Sequence, residues 1–583
     1  MLGFCWKLVV GIWDFPAIAP CLPPGPLLAS RPMSLPLLAA LTLAFLTAGY
    51  FLYGRYVAGV FRLDDATKTP AVVMEDGVDY VPTKPFYLLG QHFSAIAAAG
   101  PIVGPIAACL TFGWLPCLLW IGFGVVFIGA VHDFSALVAS LRHRGGSIAE
   151  IVRENMGRRA WIAMLAFIWL ALVYVIVAFT DVTVTTFTEG AEELQDVSVN
   201  FVKGGAVAAA SVMYLLLAVG MGVLQKVKPL LPLWLVTLVF VPATLGVVWL
   251  GTTVSTWLVF PPRTWAVLIL AYCFVASILP VWLLLQPRGY LGGFVLYMAL
   301  AVGVIGIFFG GFEILQPAWK VPERVRMEDS LFPFLFVTIA CGACSGFHGL
   351  VCSGTTSKQI ARESDCRPVG YGAMLLEAFV ALIALSTVII AAKPAGGPGT
   401  IYGDGIGRYL TLLLGGGQAT FAKVFGAMVF STFVFDTLDV ATRLCRYILQ
   451  EIFGARGRVA ALGATAVSVG IPLGLVLQSE PGSWRTYWTL FGTSNQLLAG
   501  LTLLLVSVWL YRSGRPVWVA FLPMLFVLAV TGWALVAQVA WVWGDWRAGK
   551  AGGPALVNGA VAALLLGLTV FLIGEGVRAV KRP

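Results

Sequence analysis

The chain is 583 residues long, 59% of them apolar and only 11% charged, with a formal net charge of +9. A soluble domain carries about 25% charged residues, so the composition argues against a water-soluble protein and for a polytopic membrane one. The basic excess forms no stripe interleaved with aromatics, which argues against a nucleic-acid partner. The ten cysteines lie mostly in apolar segments, as small buried hydrophobes rather than a disulfide framework.

Residues 1–32 hold Pro16, Pro20, Pro23, Pro24, Pro26 and Pro32 and no apolar run long enough to cross a bilayer. This extension is expected to be disordered, or to lie upstream of a true start at Met33. From there fifteen apolar runs each match a hydrocarbon core of about 30 Å. They lie near 35–54, 88–110, 114–140, 160–180, 204–224, 229–251, 264–285, 290–313, 331–352, 370–392, 419–449, 459–478, 487–511, 517–543 and 556–577. Arg142, Arg144, Arg153, Arg158 and Arg159 follow the third run, Lys226 and Lys228 the fifth, and Lys358, Arg362 and Arg367 the ninth. Basic loops stay in the cytoplasm, which puts the N-terminus outside and the C-terminus inside. The chain then divides into a first helix with its cytoplasmic loop (33–87), a transporter core (88–450) and accessory transmembrane helices (451–583).

The second run contains Gly100-Pro101-Ile102-Val103-Gly104-Pro105. Each proline removes a backbone donor and clashes with a carbonyl one turn earlier. A kinked helix with small residues for close packing is the simpler reading. Two breaks four residues apart point further, to an unwound segment offering carbonyls to a cation and amides to an anion. The seventh run has Ser277-Ile278-Leu279-Pro280 and then Gln286-Pro287. It lies five runs later, which suggests inverted repeats over runs 2–6 and 7–11 with the two broken helices crossing at mid-membrane. The expected fold is therefore an all-α polytopic membrane protein of about fifteen transmembrane helices. Its core is a 5+5 inverted repeat (LeuT-like) with discontinuous helices.

Ionisable groups in hydrocarbon are costly and usually face a cavity, a partner or an ion path. His92, His132, Asp133, His348 and Asp436 are the candidate proton carriers, and Glu377 is a further intramembrane acid. His132 and Asp133 are adjacent, about 100° apart around a helix, and are expected to face different surroundings. Asp439 and Arg443 are expected to pair with each other at i and i+4, leaving Asp436 without a local partner. Cys341, Cys344, His348 and Cys352 invite a zinc reading, but an unbroken helix spreads them over about 16 Å. Zinc ligands sit about 2.0–2.3 Å from the metal, so no metal and no cofactor is expected. Neither Lys nor Arg lies in the middle of runs 2, 3, 7 or 9. A substrate carboxylate is therefore expected on backbone amides of the Gly100, Pro101, Gly104 and Pro105 segment. Gln286 and the hydroxyls of Ser353 and Thr355 would supplement them.

The order of motifs resembles the carbon starvation A (CstA) family of bacterial membrane transporters. The matching stretches include Tyr53-Gly54-Arg55, Asp76-Gly77-Val78-Asp79-Tyr80-Val81-Pro82, Gly90-Gln91-His92-Phe93 and the Gly100–Pro105 run. They continue with Gly129-Ala130-Val131-His132-Asp133-Phe134, Leu279-Pro280-Val281-Trp282, Ser345-Gly346-Phe347-His348, Ser353-Gly354-Thr355-Thr356-Ser357 and Phe491-Gly492-Thr493-Ser494-Asn495-Gln496. The likeness runs from about residue 35 to 510. It implies inner-membrane uptake of peptides or small carboxylates such as pyruvate, with protons, in nutrient starvation, and kinship with the amino acid–polyamine–organocation superfamily.

A secondary active transporter, not an enzyme, is thus the leading reading, its partners a small-molecule substrate, a proton or sodium ion, and membrane lipid. A channel would favour pore-lining rings from an oligomer. A membrane enzyme or sensor would ordinarily show a catalytic constellation in a loop or a soluble signalling domain, and the longest loops here have neither.

Overall fold

The computed structural model describes residues 33–77, 79–190, 201–321, 329–480 and 482–581; the expectation for 1–32 lies outside them. The protein is all-helical: among the described residues the only β pairing is an isolated bridge between Thr83 and Ile360. Among the described residues twelve helices are long and apolar enough to cross a membrane, or thirteen with the bent pair Pro85–Ile96 and Gly100–Phe112 taken as one span.

In chain order the helices are α1 (Leu35–Phe61), α2 (Pro85–Ile96), α3 (Gly100–Phe112), α4 (Trp114–Arg142), α5 (Ile148–Met156) and α6 (Arg158–Thr188). Then come α7 (Lys203–Val227), α8 (Leu233–Thr253), α9 (Pro262–Ile278), α10 (Leu285–Phe309), α11 (Leu331–Thr338) and α12 (Gly346–Gly354). The rest are α13 (Glu363–Ile389), α14 (Pro398–Leu414), α15 (Ala419–Phe453), α16 (Arg458–Gln478), α17 (Trp484–Arg512), α18 (Trp518–Arg547) and α19 (Gly553–Lys581). Helices α15 and α17 are enclosed almost all round, whereas α1, α8, α16 and α19 form the rim.

Local chemistry accounts for several of these boundaries. Ser147 and Glu150 make a capping box that starts α5, satisfying donors at the helix N-terminus reciprocally. Pro262 and Pro398 stand in the first turns of α9 and α14, where a missing N–H costs nothing.

Two expectations about broken helices change. The second run does break, by 49°, but at Ala97–Ala99 rather than within Gly100–Pro105. Pro101 falls in the first turn of α3, so its lack of a donor is harmless there, and Pro105 is carried inside the helix. The seventh run does not break at mid-membrane. Helix α9 ends at Ile278, and Leu279 to Leu284 form the turn into α10, so Pro280 marks a helix end and Pro287 lies in the first turn of α10. The second interrupted span is the ninth: α11 stops at Thr338 and α12 begins only at Gly346.

Helix α14 matched no apolar run, because PGTIYGDGIGRYLTLLL mixes glycines with charges. Its glycines serve contact. A Cβ on Gly403 would come within 2.8 Å of Ala427, and one on Gly407 within 2.9 Å of Lys423. Helix α14 therefore lies antiparallel along the first half of α15 as no bulkier sequence could.

Candidate functional site

The two interrupted spans meet at the centre. A Cβ on Gly100 would lie 2.4 Å from the Cys341 sulfur, and one on Gly104 2.7 Å from the Thr338 carbonyl oxygen. The glycines singled out in the sequence therefore bring α3 against the broken stretch between α11 and α12, and their role is close approach rather than unwinding. Gly100, Pro101, Gly104 and Pro105 are all buried within a helix, and their amides are not the exposed set expected for a substrate carboxylate.

Unwinding at membrane depth frees carbonyls that must find donors. Here Gln496 donates to Phe336 O, Trp488 to Thr338 O and Trp120 to Ile339 O, at 3.1, 3.0 and 3.2 Å. The Asn495 carboxamide oxygen accepts from the Phe347 amide at 2.9 Å, starting α12, and its amide reaches Ser345 Oγ at 3.1 Å. The Phe491–Gln496 motif on α17 is thus the clasp of the broken span. Gly492 completes it, since any Cβ there would collide with Val337 O.

Beside this junction lies a continuous run of ionisable side chains. His132 Nδ1 is 2.7 Å from Asp133 Oδ1, Asp133 Oδ2 is 2.9 Å from His348 Nδ1, and His348 Nε2 is 3.1 Å from Glu377 Oε2. All four side chains are buried, on three elements: α4, α12 and α13. The expectation that His132 and Asp133 face different surroundings is corrected, because the short Asp133 side chain reaches back to its neighbour's ring while its second oxygen takes His348. Both imidazoles donate from Nδ1 to Asp133. On the remaining edge His348 Nε2 faces the Glu377 carboxyl at ion-pair distance, while among the described residues neither Glu377 oxygen accepts a well-directed hydrogen bond. Among the described residues His132 Nε2 and the Thr502 hydroxyl have no hydrogen-bond partner.

His92, on α2, is buried one helical turn along α12 from His348. Its Nδ1 is 2.8 Å from Thr356 Oγ1 and its Nε2 3.7 Å from Cys352 Sγ. The hydroxyl that matters is therefore Thr356, since Thr355 is exposed. Ser353 is buried, but its Oγ accepts from the Ile148 amide at 3.1 Å and anchors α5. Gln286 is exposed in the first turn of α10. None of these three joins the site.

A second charged group lies apart. Arg288, which lies between the seventh and eighth apolar runs of the sequence, is buried in the first turn of α10. Its guanidinium pairs with Asp439 Oδ2 and Asp436 Oδ1, each at 2.5 Å. Tyr272 OH donates to Asp439 at 2.7 Å. The expected Asp439–Arg443 pair is not made. Arg443 instead donates to the Ala276 and Leu279 carbonyls at 2.8 and 2.7 Å, capping the C-terminus of α9. Nothing but the spacing from Asp436 and Asp439 to a basic residue on another run could have disclosed this pairing. Glu377 was visible in sequence as an intramembrane acid, but its alignment with His348 was not.

A helical bundle with two interrupted spans meeting beside a buried run of ionisable groups is the architecture of a polytopic membrane protein, and its relatives are transporters. The sequence model of the family described as Carbon starvation protein CstA matches residues 34–395 and 391–534, and the chain belongs to that family. A peptide transporter CstA of Campylobacter jejuni is 34% identical over 83% of this chain and 77% of its own. The pyruvate/proton symporter BtsT of Escherichia coli is 32% identical, covering 83% and 79%, and the Bacillus subtilis peptide transporter CstA 30%, covering 93% and 96%. A solved manganese transporter of Eremococcus coleocola superposes with a TM-score of 0.47 at 13% identity, covering 87% of this chain and 99% of that one. At that distance the likeness assigns nothing.

Proposed function

We propose that the protein is a proton-coupled secondary transporter importing peptides or small carboxylates such as pyruvate across the bacterial inner membrane, with its C-terminus cytoplasmic. The observation that carries this reading is the His132–Asp133–His348–Glu377 chain. Four ionisable groups buried together without a Lys or Arg among them are costly to desolvate, and such groups within membrane spans mark proton relays. The run of ionisable groups reaches α12 at His348, directly after the interruption at Ile339–Ser345, so a change in its protonation bears on the junction of the two interrupted spans.

The element order supports a 5+5 inverted repeat with revised boundaries. An interrupted span, a span, a short helix and a long span recur as α2/α3–α4–α5–α6 and as α11/α12–α13–α14–α15, followed by α7–α8 and α16–α17. Cross-contacts recur in matching pairs: α3 with α13 and α12 with α4, α6 with α16 and α15 with α7, α6 with α17 and α15 with α8. The second repeat then begins at the ninth span, and α9 and α10 lie between the two. Counting the bent pair, α9 and the α11/α12 pair as spans gives fifteen.

The relatives' names favour both substrate classes. Counterflow in proteoliposomes with pyruvate, dipeptides and amino acids, under proton or sodium gradients, tests the reading. Saturable uptake driven by an inward proton gradient is expected. Uptake driven by sodium alone, or an unsaturable flux, contradicts it.

A further inference from the structure

Arg288 is paired with one carboxylate too many. Asp439 is completely enclosed and is held by Arg288 and Tyr272 together. Asp436 is bound only by Arg288, and its side chain is 29% exposed. That exposure falls on one of the most enclosed helices of the bundle, and it continues along the same face of α15 through Val440 and Leu444 to Tyr447. Asp436 therefore heads a stripe that opens toward the end of α15 carrying Arg443 and Arg446. One donor of the guanidinium, Arg288 Nε, is buried with no acceptor among the described residues, and Asp439 Oδ1 is buried with no donor among them. An Arg fork binds carboxylates through two parallel donors, and a buried unmatched donor is expensive, so this fork is incomplete as it stands.

We infer that Arg288 is a carboxylate-binding residue and that Asp436 is the exchangeable partner an incoming organic carboxylate displaces when Asp436 takes up a proton. This deepens the transport reading and rests on it, by supplying a cationic anchor where the sequence pointed to backbone amides. The neighbourhood allows the exchange. The titratable groups around the pair are Tyr214 on α7, Tyr272 and Cys273 on α9, and Asp439 and Arg443 on α15; α8 contributes none. Arg443 is committed to carbonyls, so Arg288 is the guanidinium in contact with both acids. With Asp436 neutral, Asp439 balances one of the guanidinium's bonds and the ligand takes Nε and the freed NH2. The net charge of the site is the same with one carboxylate exchanged for another. One proton enters per carboxylate bound, and the ligand class is any small organic acid or peptide C-terminus.

Equilibrium binding of radiolabelled pyruvate and of dialanine to the purified full-length protein, between pH 5.5 and 8, tests this. Wild-type affinity for at least one probe should rise as pH falls, by up to tenfold per unit. Asp436→Asn should bind at least as tightly as wild type at pH 8 and lose most of that dependence. Arg288→Gln should lose binding tenfold or more. Because Arg288→Gln leaves the enclosed Asp439 without its counter-charge, the compensated variant Arg288→Gln/Asp439→Asn is measured beside it and should lose binding equally. If the compensated variant keeps wild-type affinity, or Asp436→Asn keeps the wild-type pH dependence, this inference fails while the transport reading stands. Wild-type protein that binds neither probe overturns both. A difference between the two probes assigns the source of the carboxylate.

Discussion

His348 Nε2 stands 3.1 Å from the Glu377 carboxylate while its Nδ1 is held 2.9 Å from Asp133. A ring fixed on one side by an acid that also takes His132 has one edge left on which a proton can be gained or lost. Replacing Glu377 with Gln keeps the volume and removes the acid. In reconstituted vesicles Glu377→Gln should cut uphill, proton-driven uptake at least tenfold and leave substrate counterflow within about threefold of wild type, since a fixed protonation state blocks only the proton step. Loss of counterflow to the same degree as uphill uptake would make Glu377 a structural residue instead.

The helix contact at the broken spans should be intolerant of a single methyl. Gly104→Ala meets a backbone carbonyl that cannot rotate away, and overpacking of this kind costs about 1–3 kcal/mol. Gly100→Ala meets the Cys341 side chain. Thermal unfolding in detergent should show Gly104→Ala clearly destabilised, and Gly100→Ala restored toward wild type when combined with Cys341→Gly. Wild-type stability for both single variants would mean that α3 does not press on the interrupted span.

Arg443 is argued to cap α9 rather than to balance Asp439. Arg443→Leu should therefore lower the melting temperature, while the affinity for a transported carboxylate and its pH dependence stay near wild type. A shift in that pH dependence as large as for Asp436→Asn would return Arg443 to the charge cluster.

At the arginine-rich face the loop after α1 is pinned to the start of α13. Arg142 bridges the Glu363 carboxylate at 2.9 Å and the Arg62 carbonyl at 3.0 Å, and the Ser364 amide and hydroxyl both donate to Asp65, at 2.8 and 2.7 Å. The Ser364 hydroxyl and then its amide hold the Asp65 carboxyl below its ordinary value. A carboxylate lowered on folding stabilises the contact above its unfolded value of about 3.9 and releases it as pH falls through the lower, folded one. The group is exposed, so the contribution is small. Protection of the Ser364 amide from hydrogen exchange should hold from pH 8 to about pH 4 and drop only in more acid solution. A loss between pH 7 and 5 would place the titrating group elsewhere.

What the sequence disclosed divides along physical lines. Hydrocarbon length and the periodic return of arginine were enough to place nearly all the spans, because the bilayer acts on each helix separately. The Gly100–Pro105 run and the three intramembrane histidines were legible as belonging to the centre, since glycine, proline and charge are all costly in lipid. Whether a proline breaks a span depends on its register within the helix. Pro101 is harmless one residue inside α3, and Pro280 ends α9, whereas the ninth span opens at Ile339–Ser345 without any proline in that stretch. Pairings across elements were out of reach. Arg288 reads as a loop cation beside Pro287, and only the arrival of α15 against α10 makes it the partner of Asp436 and Asp439. Helix α14 was invisible because its glycines earn their place through contact with α15, which no hydropathy window records.

Proton movement measured together with substrate uptake tests the central claim most directly. Vesicles holding the purified protein and a lumenal pH indicator, clamped at zero membrane potential without sodium, are given pyruvate or a dipeptide outside. The account requires the lumen to acidify as the substrate accumulates, in a fixed ratio, and requires Glu377→Gln to show neither net uptake nor acidification. Accumulation with no acidification, or undiminished acidification in Glu377→Gln, would contradict it.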